Sequence, residues 1–249
     1  MKRIKMILPV PLPQAALASF AAQLPPALQR PDVQVDFAGV RAGATALDSL
    51  FEATLADAFV LDAGMAAARD GYDAICINSM SDSGLAALRS RLDIPVVGPG
   101  QASFHLAAML GRRFSVVTMW ARWLWIYEKL ARETGLEDRL ASVRHIDVRP
   151  DTHELLAGKE DVVFAKLEAQ CRNLIDEDGA DVIILGSTTM HQSHRYLADR
   201  LDVPVLNPGL IAFKLCETLL DLNLTHSKKA YPSPENPADD VLGSVPALF

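Results

Sequence analysis

Residues 70–97, DGYDAICINSMSDSGLAALRSRLDIPVV, return at 178–206 as DGADVIILGSTTMHQSHRYLADRLDVPVL. The segments that follow match as well, GPGQASFHLAAML at 98–110 being echoed by NPGLIAFKLCETLL at 207–220. In each copy a continuous apolar run, AICI or VIIL, leads into a polar turn, an amphipathic stretch and a second short apolar run. A strand that is apolar at every position is covered on both faces, as parallel sheets are. Each copy therefore reads as a strand–turn–helix–strand unit. Two such units predict two similar lobes facing each other, with a ligand where the strand ends meet. Ser79 and Ser187 occupy equivalent places at those ends, and we take them as the candidate catalytic pair.

Working outward, strand-like runs at 4–8, 33–38, 94–97, 114–118, 142–147 and 203–206 alternate with helical patterns at 13–23, 47–68, 81–91, 101–110, 122–134, 160–176, 190–200 and 208–221. Alternation of this kind predicts βαβ units and an α/β fold: two pseudosymmetric lobes, each a parallel β-sheet covered by helices, with the active site in the cleft between them. The expected division is 1–98 with 207–225 as the first lobe and 99–206 as the second. A Pro-rich tail over 226–249 would wrap a surface or remain disordered. In open parallel sheets ligands bind beyond the carboxyl ends of the strands. This predicts that Pro9, Val10, Ser79, Ser81, Asp82, Thr118, Trp120, Ser187, Thr188 and Thr189 surround one site.

Composition limits the chemistry. A chain of 249 residues, 50% hydrophobic, can bury a large core, and its net charge of −7 argues against nucleic acid or an anionic membrane surface as partner. Backbone N–H groups and helix dipoles bind small anions whatever the net charge, so a small carboxylate substrate stays open. The apolar run after MKRIK breaks at Pro9, Pro11 and Pro13, reading as a first buried strand rather than a leader peptide, and the expected location is the cytoplasm. The three cysteines, Cys76, Cys171 and Cys216, fall on apolar faces without metal-ligand spacing and read as buried free thiols. No glycine-rich nucleotide loop and no metal-ligand cluster is present, so no cofactor and no metal are expected.

With INSMSDSGL, PVVGPGQASFHLAAMLGRRFSVVT, LGSTTM and DVPVLNPG in place, the chain resembles the aspartate/glutamate/hydantoin racemase superfamily, nearest its hydantoin racemase branch, over most of 1–221. The resemblance implies a cofactor-independent enzyme with two α/β lobes, a small carboxylate or imide substrate, and a homodimer or larger assembly. Members carry one cysteine per lobe, in patterns such as ACFxDPGL and LGCxGM; one thiolate takes the α-proton and the opposite thiol returns a proton to the other face. Here Ser79 and Ser187 stand at the two cysteine positions, and LPVPLP replaces an asparagine-containing loop after the first strand.

A thiol ionises near pH 8.5, whereas an alkanol lies many units higher and needs an adjacent base. Three chemistries then remain open. The turns could stabilise an enolate, with hydroxyl and backbone donors at Ser79, Ser81, Ser187 and Thr188; racemisation, decarboxylation and carbon–carbon lyase reactions all pass through such an intermediate. His191, four residues after Ser187, could activate it for hydrolysis, or be a solvated helix residue. The site could also bind a metabolite without chemistry. Thr118 is placed by the resemblance at the substrate's polar end. Trp120, Trp123 and Trp125 could wall a site or pack a core, and Arg122 could clamp a carboxylate or pair on the surface. Asp82 could cap the helix that starts beside it, or act as a base if buried.

Overall fold

The computed structural model describes residues 1–150, 160–239, 243 and 245–248. The first half comprises β1 (Lys2–Leu8), α1 (Gln14–Ala21), β2 (Val33–Gly39), α2 (Leu50–Arg69), β3 (Ala74–Ile77), α3 (Leu85–Arg91), β4 (Val96–Val97) and α4 (Pro99–Leu110). The second half repeats the order with β5 (Phe114–Thr118), α5 (Leu124–Thr134), β6 (Leu140–His145), α6 (Glu160–Asp176), β7 (Val182–Leu185), α7 (His194–Ala198), β8 (Val205–Leu206) and α8 (Pro208–Asp221). Each half forms a four-stranded sheet, in the orders β2-β1-β3-β4 and β6-β5-β7-β8, with every pairing parallel. The sequence repeat is thus a structural repeat, and the fold is the expected pair of parallel α/β sheets covered by helices.

These orders decide where a ligand can sit. From β1 the chain crosses to β2 on one side, and from β3 it crosses to β4 on the other. The crevice between β1 and β3 is therefore the topological switch point of the first sheet, as that between β5 and β7 is of the second. Pro9 and Val10 leave β1, the Ser79 turn leaves β3, Thr118 ends β5 and the Ser187 turn leaves β7. All four crevice positions predicted from sequence lie at strand ends of this kind.

The helices cross between the sheets. Ala212, Phe213 and Cys216 of α8 pack with Ile4, Met6, Ala74 and Cys76 of the first sheet. Phe104 and Ala107 of α4 pack instead with Phe114, Val116 and Val117 of the second. Helix α6 shows why the sequence commits to this arrangement. Its buried residues Val163, Leu167, Cys171 and Leu174 recur every three or four positions, a stripe that must be covered. All three cysteines are buried and free. No helix among the described residues is long and apolar enough to cross a membrane.

The tail over 226–239 runs along α3, and Gly243 and Leu248 hydrogen-bond Arg41. Lys228 Nζ donates to the carbonyls of Arg89, Ser90 and Leu92 at 3.0, 2.9 and 2.6 Å, a cation on the negative end of that helix. His226 Nε2 accepts the Val96 N–H at 2.8 Å, and burial lowers its pKa to about 4. Arg91 pairs with Asp239. Residues 240–242, 244 and 249 of the tail lie outside the described residues.

Helix boundaries differ from the sequence reading at the two turns that matter. The stretch 81–91 is helical only from Leu85, because Asp82 takes φ +50° and Gly84 φ +67°, both left-handed. The stretch 190–200 is a 3-10 helix over Thr188–Ser193 followed by the short α7. In both places the chain leaves the strand through a tight hydroxyl-rich turn before the helix can begin.

Candidate active site

The two turns meet. Thr188 Oγ1 donates to the Asn78 carbonyl at 3.1 Å, joining the residue before Ser79 to the residue after Ser187 across the two halves of the chain. Asn78 is 2% exposed and Thr188 3% exposed, whereas Ser79, Ser81 and Ser187 are half-buried. The three hydroxyls thus sit at the open rim of otherwise buried turns. Asn78 has a further property: among the described residues neither its side-chain oxygen nor its nitrogen has a hydrogen-bond partner, which is costly for a buried amide.

The first turn is a run of alternating serines. Ser79 Oγ hydrogen-bonds Ser81 Oγ at 3.0 Å, and Ser81 Oγ hydrogen-bonds Ser83 Oγ at 2.9 Å. Asp82, between them, is buried, and its carboxylate accepts from the Gly100 and Gln101 N–H groups at 2.8 and 2.7 Å. It therefore caps α4, not α3 as the sequence suggested; the positive φ turns its side chain away from the helix that follows it. A Cβ on Gly98 would collide with the Asp82 carboxylate, and one on Gly100 with Leu130 and the Met80 carbonyl. Desolvation raises the Asp82 pKa to about 7, against the two backbone hydrogen bonds that favour the anion.

This shift has a consequence for stability. An unfolded aspartate ionises near pH 3.9, and the folded one at about 7. Between those values the native state holds a proton that the unfolded chain releases, so stability falls as pH rises through the window and is level above it. The contribution of this group has a slope of about 1.4 kcal/mol per pH unit at most. Asp82→Asn removes it, and the difference between variant and wild-type denaturation midpoints should shift steadily from pH 4.5 to 7. Parallel profiles would mean that Asp82 ionises normally.

The second turn is simpler. Ser187 Oγ hydrogen-bonds Thr189 Oγ1 at 2.8 Å and accepts the Thr189 N–H at 3.2 Å, which caps the 3-10 helix. Gly186 precedes it in a tight knot: the Tyr127 hydroxyl donates to the Gly186 carbonyl and accepts from Thr118 Oγ1 at 2.8 Å. Thr118 is fully buried, so its hydroxyl is spent on holding this turn. A Cβ on Gly186 would lie 2.6 Å from the Tyr127 oxygen, so glycine is required there. In sequence Tyr127 is one more aromatic after Trp120, Trp123 and Trp125, and no spacing marks it as the clamp of Gly186.

Other candidates are placed elsewhere. His191 does not pair with Ser187. Its ring is largely buried against α1 and hydrogen-bonds the Ser19 backbone, Nε2 has no partner among the described residues, and desolvation lowers its pKa. A Ser187–His191 nucleophile pair is therefore absent among the described residues. Arg122 is exposed and clamps the carboxylate of Asp48 at 2.7 Å. Such a pair is worth about 0–1 kcal/mol, so Arg122→Ala should leave the urea midpoint nearly unchanged; a large drop would assign it a structural role. Trp123 is buried and donates from Nε1 to the Ala46 carbonyl at 2.8 Å, while Trp120 packs edge-on to it and under Arg122 and Arg149. This aromatic segment joins the second half to the 41–49 loop of the first. Val10 and Pro9 are buried, with Val10 O and Leu12 N crowded against Gly39. Among the described residues no group of three or more His, Cys, Asp or Glu side chains is placed to hold a metal ion.

Comparison with known proteins agrees with this architecture. The family model described as Asp/Glu/Hydantoin racemase matches residues 14–216. A hydantoin racemase of Pseudomonas sp. (strain NS671) is 32% identical over 212 residues, covering 83% of this chain and 82% of that one. Two solved allantoin racemases are similar in structure. That from Klebsiella pneumoniae has a TM-score of 0.86 and 29% identity, covering 96% of each chain. That from Pseudomonas fluorescens has a TM-score of 0.84 and 28% identity, covering 94% of this chain and 98% of the other. The chain belongs to the Asp/Glu/hydantoin racemase family and is an enzyme of that racemase/isomerase superfamily.

Proposed function

We propose that this enzyme works without a cofactor at an acidic carbon of a small carboxylate or imide, through an enolate-type intermediate held between the Ser79 and Ser187 turns. The observation that carries the reading is the Thr188–Asn78 hydrogen bond, which joins two equivalent hydroxyl-bearing turns at the switch points of two sheets. Half-buried hydroxyls and backbone N–H groups aimed at one place stabilise developing negative charge best where water is scarce. Asn78 adds a buried amide whose donor and acceptor have no partner among the described residues. That pairing is complementary to the N–H and C=O of a ring imide or ureide. The names of the relatives, hydantoin racemase and allantoin racemase, point to the same class of compound.

The serines favour reactions in which the enzyme has to supply a proton more than remove one. A hydroxyl readily protonates a carbanion but is a poor standing base. Decarboxylation or carbon–carbon cleavage generates the enolate without proton removal, so a lyase is the second reading. Proton NMR in D2O separates them, using 5-substituted hydantoins, allantoin, amino acids and malonate-type acids as the panel. Loss of an α-proton signal with the skeleton intact supports action at the carbon acid. Appearance of two fragments or a decarboxylated product supports the lyase. Line-broadening without turnover for every compound would overturn the catalytic reading in favour of a binding protein.

A further inference from the structure

The repeat that builds the two sheets also builds a cavity between two of their helices. Helix α8 follows α4 at an offset of 211 − 102 = 109, so Ala102, Leu106 and Met109 correspond to Ile211, Leu215 and Thr218. One stripe of each helix is spent on a sheet, Phe104 and Ala107 on the second, Phe213 and Cys216 on the first. The helices pack side by side. Between them Ala102, Leu106, Leu210, Ile211 and Leu215, with Val97, line an apolar cavity of about 460 Å³. That volume is in the range of small-molecule sites. None of the hydroxyls of the Ser79 and Ser187 turns lines it.

One residue breaks the symmetry of this cavity. Arg89 of α3 lines it, and the repeat has Ala198 in the equivalent place. Arg89 lies on the buried face of its helix with Leu85 and Leu88 and is 7% exposed. Its Nε donates to the Val96 carbonyl at 3.1 Å and its Nη1 to the Tyr231 hydroxyl at 3.3 Å. Both acceptors are neutral, and among the described residues Arg89 has no ion pair and Nη2 no hydrogen bond. Buried arginines are ordinarily paired, because an unmatched charge is costly away from water. Asp57, Asp82 and Glu133 border a neighbouring cavity that Arg89 also reaches. They are engaged instead with Gly84, with Gly100 and Gln101, and with Lys129. No Asp or Glu lines the apolar cavity, whose other basic residues are the equivalent pair His105 and Lys214. Lys214 is held by Glu217 and the Leu28 carbonyl, so the unmatched charge belongs to Arg89.

We propose that this cavity is a second binding site, for a small amphipathic anion whose carboxylate meets Arg89 and whose alkyl or aryl body lies between α4 and α8. A guanidinium offers a carboxylate parallel N–H donors and full charge complementarity. A second copy of the chain fits this face less well. Two copies related by a twofold would bring Arg89, His105 and Lys214 against the same basic residues, with no acid in the lining to answer them. The ligand touches one helix packed in each core, so it braces α4 against α8. Binding to the folded chain alone should raise the thermal midpoint as occupancy rises.

Octanoate, octanol and octylamine share one apolar body and differ in the head group, so titration calorimetry with the three reads the site directly. Octanoate should bind one molecule per chain and at least about tenfold more tightly than octanol, the worth of one charge-assisted hydrogen bond. Octylamine should bind more weakly than octanol. Arg89→Gln keeps a donor for the Val96 carbonyl and removes the charge, and octanoate should then fall to the level of octanol. Because Arg89 is buried, a companion variant at an exposed position guards against a folding defect. Leu215→Glu adds a carboxylate to the lining, and should weaken octanoate about tenfold while strengthening octylamine.

Equal affinity for octanoate and octanol would overturn the proposal, as would octanoate binding that is indifferent to both substitutions. Absence of octanoate binding would overturn it too. If sedimentation velocity then showed a wild-type oligomer that Leu215→Glu splits into monomers, the face would belong to a second copy. None of these readouts uses turnover, so their failure leaves the reaction proposed for the serine turns untouched.

Discussion

Ser79→Cys combined with Ser187→Cys is expected to invert the α-carbon of a 5-substituted hydantoin on the order of 10²–10³-fold faster than the wild-type enzyme, the range that a positioned general acid–base contributes. The argument is one of acidity and place. Each serine is half-buried at the rim of a turn whose backbone and neighbouring hydroxyls are already organised by hydrogen bonds. A thiol in either position keeps those neighbours and ionises near pH 8.5, lower where backbone N–H groups converge. With the substrate carbon between the turns, two thiols give removal on one side and delivery on the other, which two un-ionised hydroxyls do not. Either single variant, with one thiol, should raise α-proton exchange more than inversion. Polarimetry followed in parallel with loss of the α-proton signal in D2O distinguishes the two effects. A double variant that folds, shows both thiols reactive to a small alkylating agent and still neither exchanges nor inverts would mean that the substrate carbon does not lie between these turns.

The limits of the sequence reading are instructive at these same residues. Continuous apolar runs at AICI and VIIL, and the repeated phrase around them, were enough to place two parallel sheets and to pair Ser79 with Ser187, because strand burial and repetition are written in local composition. What occupies the turns was not written locally. Asp82 looked like the cap of α3 because it precedes that helix by the usual few residues. Its left-handed φ redirects it to the N-terminus of α4, seventeen residues further along, a contact only the packed fold creates. His191 looked available to Ser187 at four-residue spacing, but the segment is 3-10 helix rather than α, and the ring turns toward α1. Thr118 and Tyr127 interlock with Gly186 across β5, α5 and β7, which no spacing rule anticipates. One signal was present and went unused. Serines alternating at 79, 81 and 83 suggest a line of hydroxyls, and the structure shows them hydrogen-bonded one to the next.

Phe104→Ala should be the most destabilising of the single substitutions considered, by about 3–5 kcal/mol. Phe104 is fully buried, and its ring packs edge-on to Phe114 with centroids 4.8 Å apart. The cost is more than a local cavity because of where α4 sits. Its first turn is held by Asp82, in the turn that leaves the first sheet, while its length is packed in the core of the second. The helix is therefore a bolt between the two halves, and it sets the position of the Ser79 turn relative to the Ser187 turn. Loosening it should lower the urea midpoint of the whole chain in one transition, and should weaken substrate binding at temperatures where the variant is still folded. Leu167→Ala is the matched comparison, since Leu167 is equally buried but lies on α6 within the second core alone. It should cost about 2–5 kcal/mol while leaving KM close to the wild-type value. Equal KM for both variants, at matched fractions folded, would show that α4 supports the core without aligning the two turns.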